Sequence, residues 1–132
     1  MKNPFLPGDE KVFVTQVSAD KLASFGDDPV HPVYSTFALA RDAEWACRLF
    51  VLDMKEEGEE GIGTYLSVEH RAPARAGTAV RIVARLESVE GSTVHCSYRA
   101  YDGERLLAQG QQTQRIIDRH RFATYLDTLP TP

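Results

Sequence analysis

The 132-residue chain is short of several things, and each shortage narrows what it can be. Cysteine occurs twice, at Cys47 and Cys96, with no CxxC pair and no nearby histidine pair, so neither a disulfide framework nor a metal or redox site is expected. Two lone cysteines read as packed, reduced thiols, which places the chain in the cytoplasm. No apolar run exceeds four or five residues, too few to span a membrane, and the opening MKNPFLPGDE holds no apolar signal segment. Positive charge is not in excess: 15 Lys and Arg face 19 Asp and Glu, a net charge of −4, which argues against a nucleic-acid partner. Internal repeats and low-complexity tracts are absent. What remains is 42% hydrophobic and 26% charged, the balance of one ordinary domain with a real core.

The stretch STFALARDAEWACRLFVLDM, residues 35–54, is the most strongly patterned part of the chain. Ser35 or Thr36 offers the hydroxyl that caps a helix, and the spacing predicts a helix from about Thr36 to Met54. Phe37, Ala40, Cys47, Val51 and Met54 fall on one helical face, the expected buried stripe, and Glu44 sits in its middle. Arg41, Arg48 and Lys55 recur on another face. A buried carboxylate is costly unless it is partnered, so Glu44 is singled out.

Around that helix the period is 2. Lys11–Val17 reads as a strand, Ser18–Phe25 as a short helical turn, and Gly26–Pro32, with two prolines and a glycine, as a loop. After the glycine-broken EEGEEG, residues 56–61, the chain alternates from Ile62 to Ala72. Ile62, Thr64, Leu66, Val68, His70 and Ala72 are expected to face the helix. Thr78–Glu87 and Val94–Tyr101 alternate likewise, joined at Glu90-Gly91-Ser92. Asp102-Gly103 starts a second hairpin turn into Arg105–Asp118, and Arg119–Leu129 reads as a short helix. One very apolar helix with antiparallel strands predicts an α+β fold, the sheet wrapped around the helix, in a single domain over residues 1–132. Long strands leave an edge to cover, and a second copy would cover it, so a homodimer is expected.

Three polar groups are then aimed inward. His70 shares a strand face with Leu66 and Val68, Glu44 lies on the helix, and Thr36 precedes it by two turns. A hydroxyl, a carboxylate and an imidazole in an apolar setting can activate a nucleophile or water. The alternative is a buried Glu–His pair that only satisfies itself, with Thr36 a cap. Gly63 is either a turn exit or a close backbone approach to a ligand. Arg81, Arg85 and Arg99 line an outer face, either solvated or in contact with an anionic group.

Taken together, Thr36 eight residues before Glu44, Glu-Trp-Ala-Cys at 44–47, Gly-Ile-Gly-Thr at 61–64, His70 and Ser-Val-Glu-Gly at 88–91 resemble the fluoroacetyl-CoA thioesterase-like family of hotdog-fold thioesterases. The resemblance runs from about Val12 to Ile117. It implies a hotdog fold, an antiparallel sheet around one long central helix, and a dimer with sites at its interface. It also implies hydrolysis of a small or medium acyl-CoA thioester, with CoA as part of the substrate and no other cofactor or metal. It maps the catalytic residues onto Thr36, Glu44 and His70, and substrate contacts onto Gly63 and Arg115. Pairing of dimers into tetramers stays open. Upstream of Thr36 the chain departs from the name-giving member, having the short GDDPVHPVYS where that protein has a longer, phenylalanine-bearing lid. Two other functions share the scaffold: a non-catalytic acyl-CoA binder, and an enoyl-CoA hydratase. Of the hydratase motif Asp-x-Asn-Pro-x-His, Gly26-Asp27-Asp28-Pro29-Val30-His31 keeps the Pro-x-His, with Gly26 in place of the catalytic aspartate.

Overall fold

The helix forms where its cap and period put it. In the computed structural model, which describes residues 1–132, α1 spans Thr36–Met54, and the Ser35 hydroxyl accepts from the Ala38 N–H at 2.9 Å. It is preceded by β1 (Glu10–Gln16), a 3₁₀ turn at Ala19–Lys21, β2 (Leu22–Phe25) and β3 (Asp28–Tyr34). It is followed by β4 (Glu59–Leu66), β5 (Glu69–His70), β6 (Ala79–Glu90), β7 (Thr93–Asp102), β8 (Arg105–Asp118) and a terminal helix, α2 (Arg119–Leu126). The main sheet is antiparallel, in the order β1-β6-β7-β8-β4, with β5 also paired to β8. It curls around α1 and leaves β1 and β4 as its two edges.

The core is the concave face of the sheet against the helix. Val80, Ile82, Ala84 and Leu86 of β6 and Val94, Cys96, Tyr98 and Ala100 of β7 alternate inward as expected. They meet Leu39, Ala43, Ala46, Cys47, Phe50 and Val51 of α1. Alanine at 38, 43 and 46 lets the helix approach the sheet closely. Cys47 and Cys96 are free, buried neighbours across this interface. A hydrogen bond with Cys96, together with burial, holds the Cys47 thiol well above the usual thiol range.

Three expectations are corrected. The buried stripe of α1 is rotated in part: Cys47, Val51 and Met54 are buried as expected, but Phe37 is 84% exposed and Glu44 is exposed, whereas Asp42 is the buried carboxylate. Residues 22–34, expected as a turn and a loop, form the β2–β3 hairpin, a separate two-stranded sheet. Prolines are tolerated there because a two-stranded ribbon has unpaired N–H positions on both strands. Lastly, β4 does not present Ile62 and Thr64 to the helix. A bulge breaks its pairing with β8 between Gly63 and Tyr65, and upstream of it Gly61 and Gly63 face α1. Leu66 and Val68 pack on the core beyond the bulge, so a face change within one strand is absorbed by the extra residue.

Candidate active site

Thr36 opens α1 and projects toward β5. Its Oγ1 lies 2.9 Å from His70 Nδ1. His70 is held by the pairing of β5 with Ala108 of β8 and is half-buried. Its other ring nitrogen, Nε2, is shut off from solvent and has no partner. An enclosed ring nitrogen without a partner costs about 1–3 kcal/mol. The imidazole is thus fixed at one nitrogen by a hydroxyl, and its other nitrogen is enclosed and free of any partner.

The position of this pair depends on a second cluster. The Asp42 carboxylate, 8% exposed, receives Lys21 Nζ at 3.0 and 3.2 Å and the Tyr34 hydroxyl. Lys21 Nζ also reaches Thr15 Oγ1 at 2.6 Å. Burial first, then the Asp42 hydrogen bond, push the Tyr34 phenol far above its ordinary value. Asp42 therefore ties the root of the β2–β3 hairpin and the end of β1 to the second turn of the helix. Tyr34 is two residues before Thr36, so the cluster also fixes the helix start.

Glu44 stands two turns on, about 12 Å along the helix axis at 1.5 Å per residue. It makes no hydrogen bond to Thr36 or His70 within the chain. It lies instead against the backbone of β4: a Cβ built on Gly63 would come within 2.5 Å of Glu44 Oε1 and 3.5 Å of Gln112 Nε2. Glycine is required there by proximity, not by its torsion angles. On its other side Glu44 borders an open cleft of about 690 Å³, walled by Phe13, Phe37, Trp45, Lys21, Arg41 and Arg48. The cleft occupies the side of α1 that the sheet leaves uncovered. The far end of the helix is locked to β4 by Glu60, which accepts from Lys55 at 2.9 Å, from the Gly61 N–H at 2.9 Å and from Arg48 at 2.7 Å. The Lys55 contact, then the Gly61 N–H, then Arg48 hold the Glu60 carboxyl down at about 2.

The structure thus joins Thr36 to His70 and Glu44 to Gly63, and sets Arg115 apart from both. Arg115 is exposed on β8, between Gln114 and Ile116, which are buried under the helix. It therefore faces the outer side of the sheet. Sequence reading missed Gln112 and Gln114, which are buried on the inner face of β8, Gln112 near Glu44 at Gly63 and Gln114 near Arg48 at Gly61. The signal was present: counting back by two from the apolar Ile116 puts both on the inner face.

The sequence profile of the family described as fluoroacetyl-CoA-specific thioesterase, FlK, matches residues 17–120. Among solved structures, a hypothetical protein of Thermus thermophilus described as a thioesterase superfamily member superposes with a TM-score of 0.88. It is 37% identical, with 94% of this chain and 92% of that one covered. The fluoroacetyl-CoA thioesterase FlK itself superposes with a TM-score of 0.83 at 27% identity, over 96% of this chain and 98% of its own. A hot-dog-like protein from Thermanaerovibrio acidaminovorans, 21% identical, shares the fold, with a TM-score of 0.87 over 97% and 96% of the two chains. No protein of curated function matches. A profile match over most of the chain, with a relative so similar along nearly its whole length, makes this chain a member of the fluoroacetyl-CoA-specific thioesterase family, a hotdog-fold hydrolase of acyl-CoA thioesters.

Proposed function

We propose that the chain hydrolyses small or medium acyl-CoA thioesters to the free acid and CoA, as a homodimer in the cytoplasm, through Thr36, Glu44 and His70. The observation that carries the reading is the Thr36–His70 hydrogen bond with His70 Nε2 enclosed and unpartnered, with Glu44 on the same helix as Thr36 bordering an open cleft. The thioester carbonyl would sit near the start of α1, whose N–H groups and dipole favour a developing oxyanion. Glu44 either attacks the carbonyl carbon, forming a mixed anhydride that water hydrolyses after the thiol has left, or takes a proton from the attacking water. The C–S bond then breaks, and His70 delivers a proton to the departing thiolate sulfur. Thr36 holds the imidazole in register. Gly63 lets the acyl group approach the backbone beside Glu44, and Arg115 meets a phosphate of CoA.

Dimerisation is favoured by two features. The β4 edge is hydrogen-bonded on one side only, and Tyr65 on it is exposed. A second copy laid along β4 would continue one sheet across the dimer and cover that edge. The cytoplasm fits two free, buried thiols, and no helix is long and apolar enough to cross a membrane.

The test is thiol release from a panel of short- to long-chain acyl-CoA thioesters, with light scattering at micromolar concentration. Glu44→Gln and His70→Ala should each lower kcat/KM for the best substrate at least ~10²-fold, about 2.7 kcal/mol, and Thr36→Ala should cost less. A folded Glu44→Gln variant with unchanged turnover would refute the catalytic assignment, and a monomer would refute the dimer.

A further inference from the structure

β8 carries two amides under the helix where a core would ordinarily hold aliphatic side chains. Gln112 and Gln114 are 1% and 2% exposed and lie on one face of the strand, with Gln114 Nε2 donating to Gln112 Oε1 at 2.9 Å. That bond uses the oxygen of Gln112 and turns its amide nitrogen away from Gln114. Gln112 Nε2 is sealed from solvent and has no partner. Native interiors seldom leave a donor in that state, and where they do the group has a use.

What lies in front of the free donor is fixed by Gly63. The point a Cβ would occupy there is 3.5 Å from Gln112 Nε2 and 2.5 Å from Glu44 Oε1, so the amide and the carboxylate flank the same empty spot on the strand. Two residues back, the corresponding point at Gly61 is 3.3 Å from Gln114 Oε1 and 3.4 Å from Arg48 Nη1. Arg48 is itself held by Glu60. A guanidinium at that end favours the oxygen of Gln114 beside it. The Gln114 nitrogen must then face Gln112, and the Gln112 nitrogen must face Glu44. The polarity of both amides is set from the charged end of the row.

We infer that Gln112 is a positioning residue for Glu44: its free N–H donates to the Glu44 carboxylate as substrate fills the cleft, and Gln114 and Arg48 hold the amide in the donating sense. A carboxylate with one oxygen tied to a buried donor keeps its other oxygen aimed at the reacting carbon or water. The assignment rests on the role proposed for Glu44 above. The other charged groups lining the same cleft are Arg41, Asp42 and Arg48 of the same helix and Asp20 and Lys21 of the segment before β2. None of them changes in the variants below.

The experiment replaces Gln112 with Leu, which keeps the volume and removes the donor. kcat should fall ~10-fold with KM nearly unchanged, and the acid limb of the kcat/KM profile should move up by ~0.5–1 pH unit, because a hydrogen bond to the charged carboxylate is lost. In the Glu44→Gln background the same substitution should cost little more, since the two act as a unit. Gln114→Leu should shift the profile in the same direction but less. A folded Gln112→Leu variant with an unmoved acid limb and a fully additive loss would overturn the inference. If that variant does not fold, the side-chain amide of Gln112 in the unmutated protein saturated with CoA is followed by ¹⁵N NMR through the titration of the Glu44 carboxyl, assigned by its loss in Glu44→Gln. A coincident midpoint supports the pairing, and an amide blind to Glu44 overturns it. This titration needs no turnover, so it judges the Gln112–Glu44 contact even if the thioesterase site lies elsewhere.

Discussion

Gly63→Ala should separate activity from stability. The added methyl carbon would lie 2.5 Å from Glu44 Oε1, and ordinary contact begins near 3.4 Å, so the carboxylate must retreat by about 1 Å. The atom in the way is the end of a flexible, exposed side chain, so the retreat is a change of side-chain torsion and leaves the backbone in place. Alanine also restricts the unfolded chain more than glycine does, which offsets part of any strain. The folded state should therefore keep its stability to within about 0.5 kcal/mol. Catalysis tolerates such a shift poorly: a misplacement of ~1 Å costs ~10²-fold, so kcat/KM should fall by about that factor. Gly110→Ala is the control. Its methyl carbon would meet the Ser67 backbone oxygen at 2.0 Å and the Tyr98 hydroxyl at 2.8 Å, both fixed by the Tyr98–Ser67 hydrogen bond. Overpacking against backbone should cost about 1–3 kcal/mol or more of stability. Thermal unfolding and thiol release on the two variants give the comparison. A Gly63→Ala variant that melts with the wild type and hydrolyses its best thioester at the wild-type rate would refute the claim that the Gly63 approach positions Glu44.

Asp42→Ala should destabilise the fold by about 2–3 kcal/mol in urea unfolding, because it strands the Tyr34 hydroxyl and the partly buried Lys21 ammonium; a smaller loss than ~0.5 kcal/mol would show that the cluster is dispensable. Glu60 has a folded carboxyl at about 2 against an ordinary 4.5, so its contribution is complete above pH 4.5 and is lost as the pH falls from there toward 2. Glu60→Gln should flatten the acid limb of stability in that window, and an unchanged slope would count against the Lys55–Glu60–Arg48 lock. Fluoroacetyl-CoA should not be strongly preferred over acetyl-CoA, since the hairpin before Thr36 leaves Phe25 82% exposed and carries Asp27, Asp28 and His31 at its surface. Small apolar differences are worth only ~1–3 kcal/mol, and a preference above ~10⁴-fold in kcat/KM would show a sealed pocket.

Much of this fold is written in short-range patterns. A hydroxyl at Ser35 starts the helix, the period of 3.6 carries it to Met54, and alternation in β6 and β7 assigns their inner faces correctly. The orientation of α1 is not written in the same way. The expected stripe through Phe37, Ala40, Cys47, Val51 and Met54 is right at Cys47, Val51 and Met54, but the buried face turns from Phe37 toward Leu39, Ala43, Ala46 and Phe50. Phe37, Trp45 and Leu52 make a second apolar stripe, and a sheet curled tightly around a helix selects the side that carries alanine. That rotation exchanges Glu44 for Asp42 as the buried carboxylate. The β2–β3 hairpin was hidden because Pro29, Pro32 and Gly26 argue against regular structure, and a two-stranded ribbon is the one sheet that can host them.

The site inverts the usual rule for the inner face. On β4 the larger residues Ile62 and Thr64 were read as inward, yet the residues facing the helix are Gly61 and Gly63, paired on β8 with Ile116 and Gln114, and Gln112 follows on the same buried face. Hydrophobic periodicity cannot find such a surface, because what faces inward there is either hydrogen or amide. The physical reason is the carboxylate. A glutamate pressed against a strand needs backbone room, which only glycine provides, and it needs polar neighbours, which aliphatic residues cannot supply. Two glycines spaced by two, on a strand beside one that buries two glutamines spaced by two, are therefore the marks of a strand pair shaped around a charged group. The bulge at Thr64 follows from the same demand: it returns β4 to ordinary packing at Leu66, with Val68 just beyond the strand, and so lets one edge strand serve the carboxylate at one end and the core at the other.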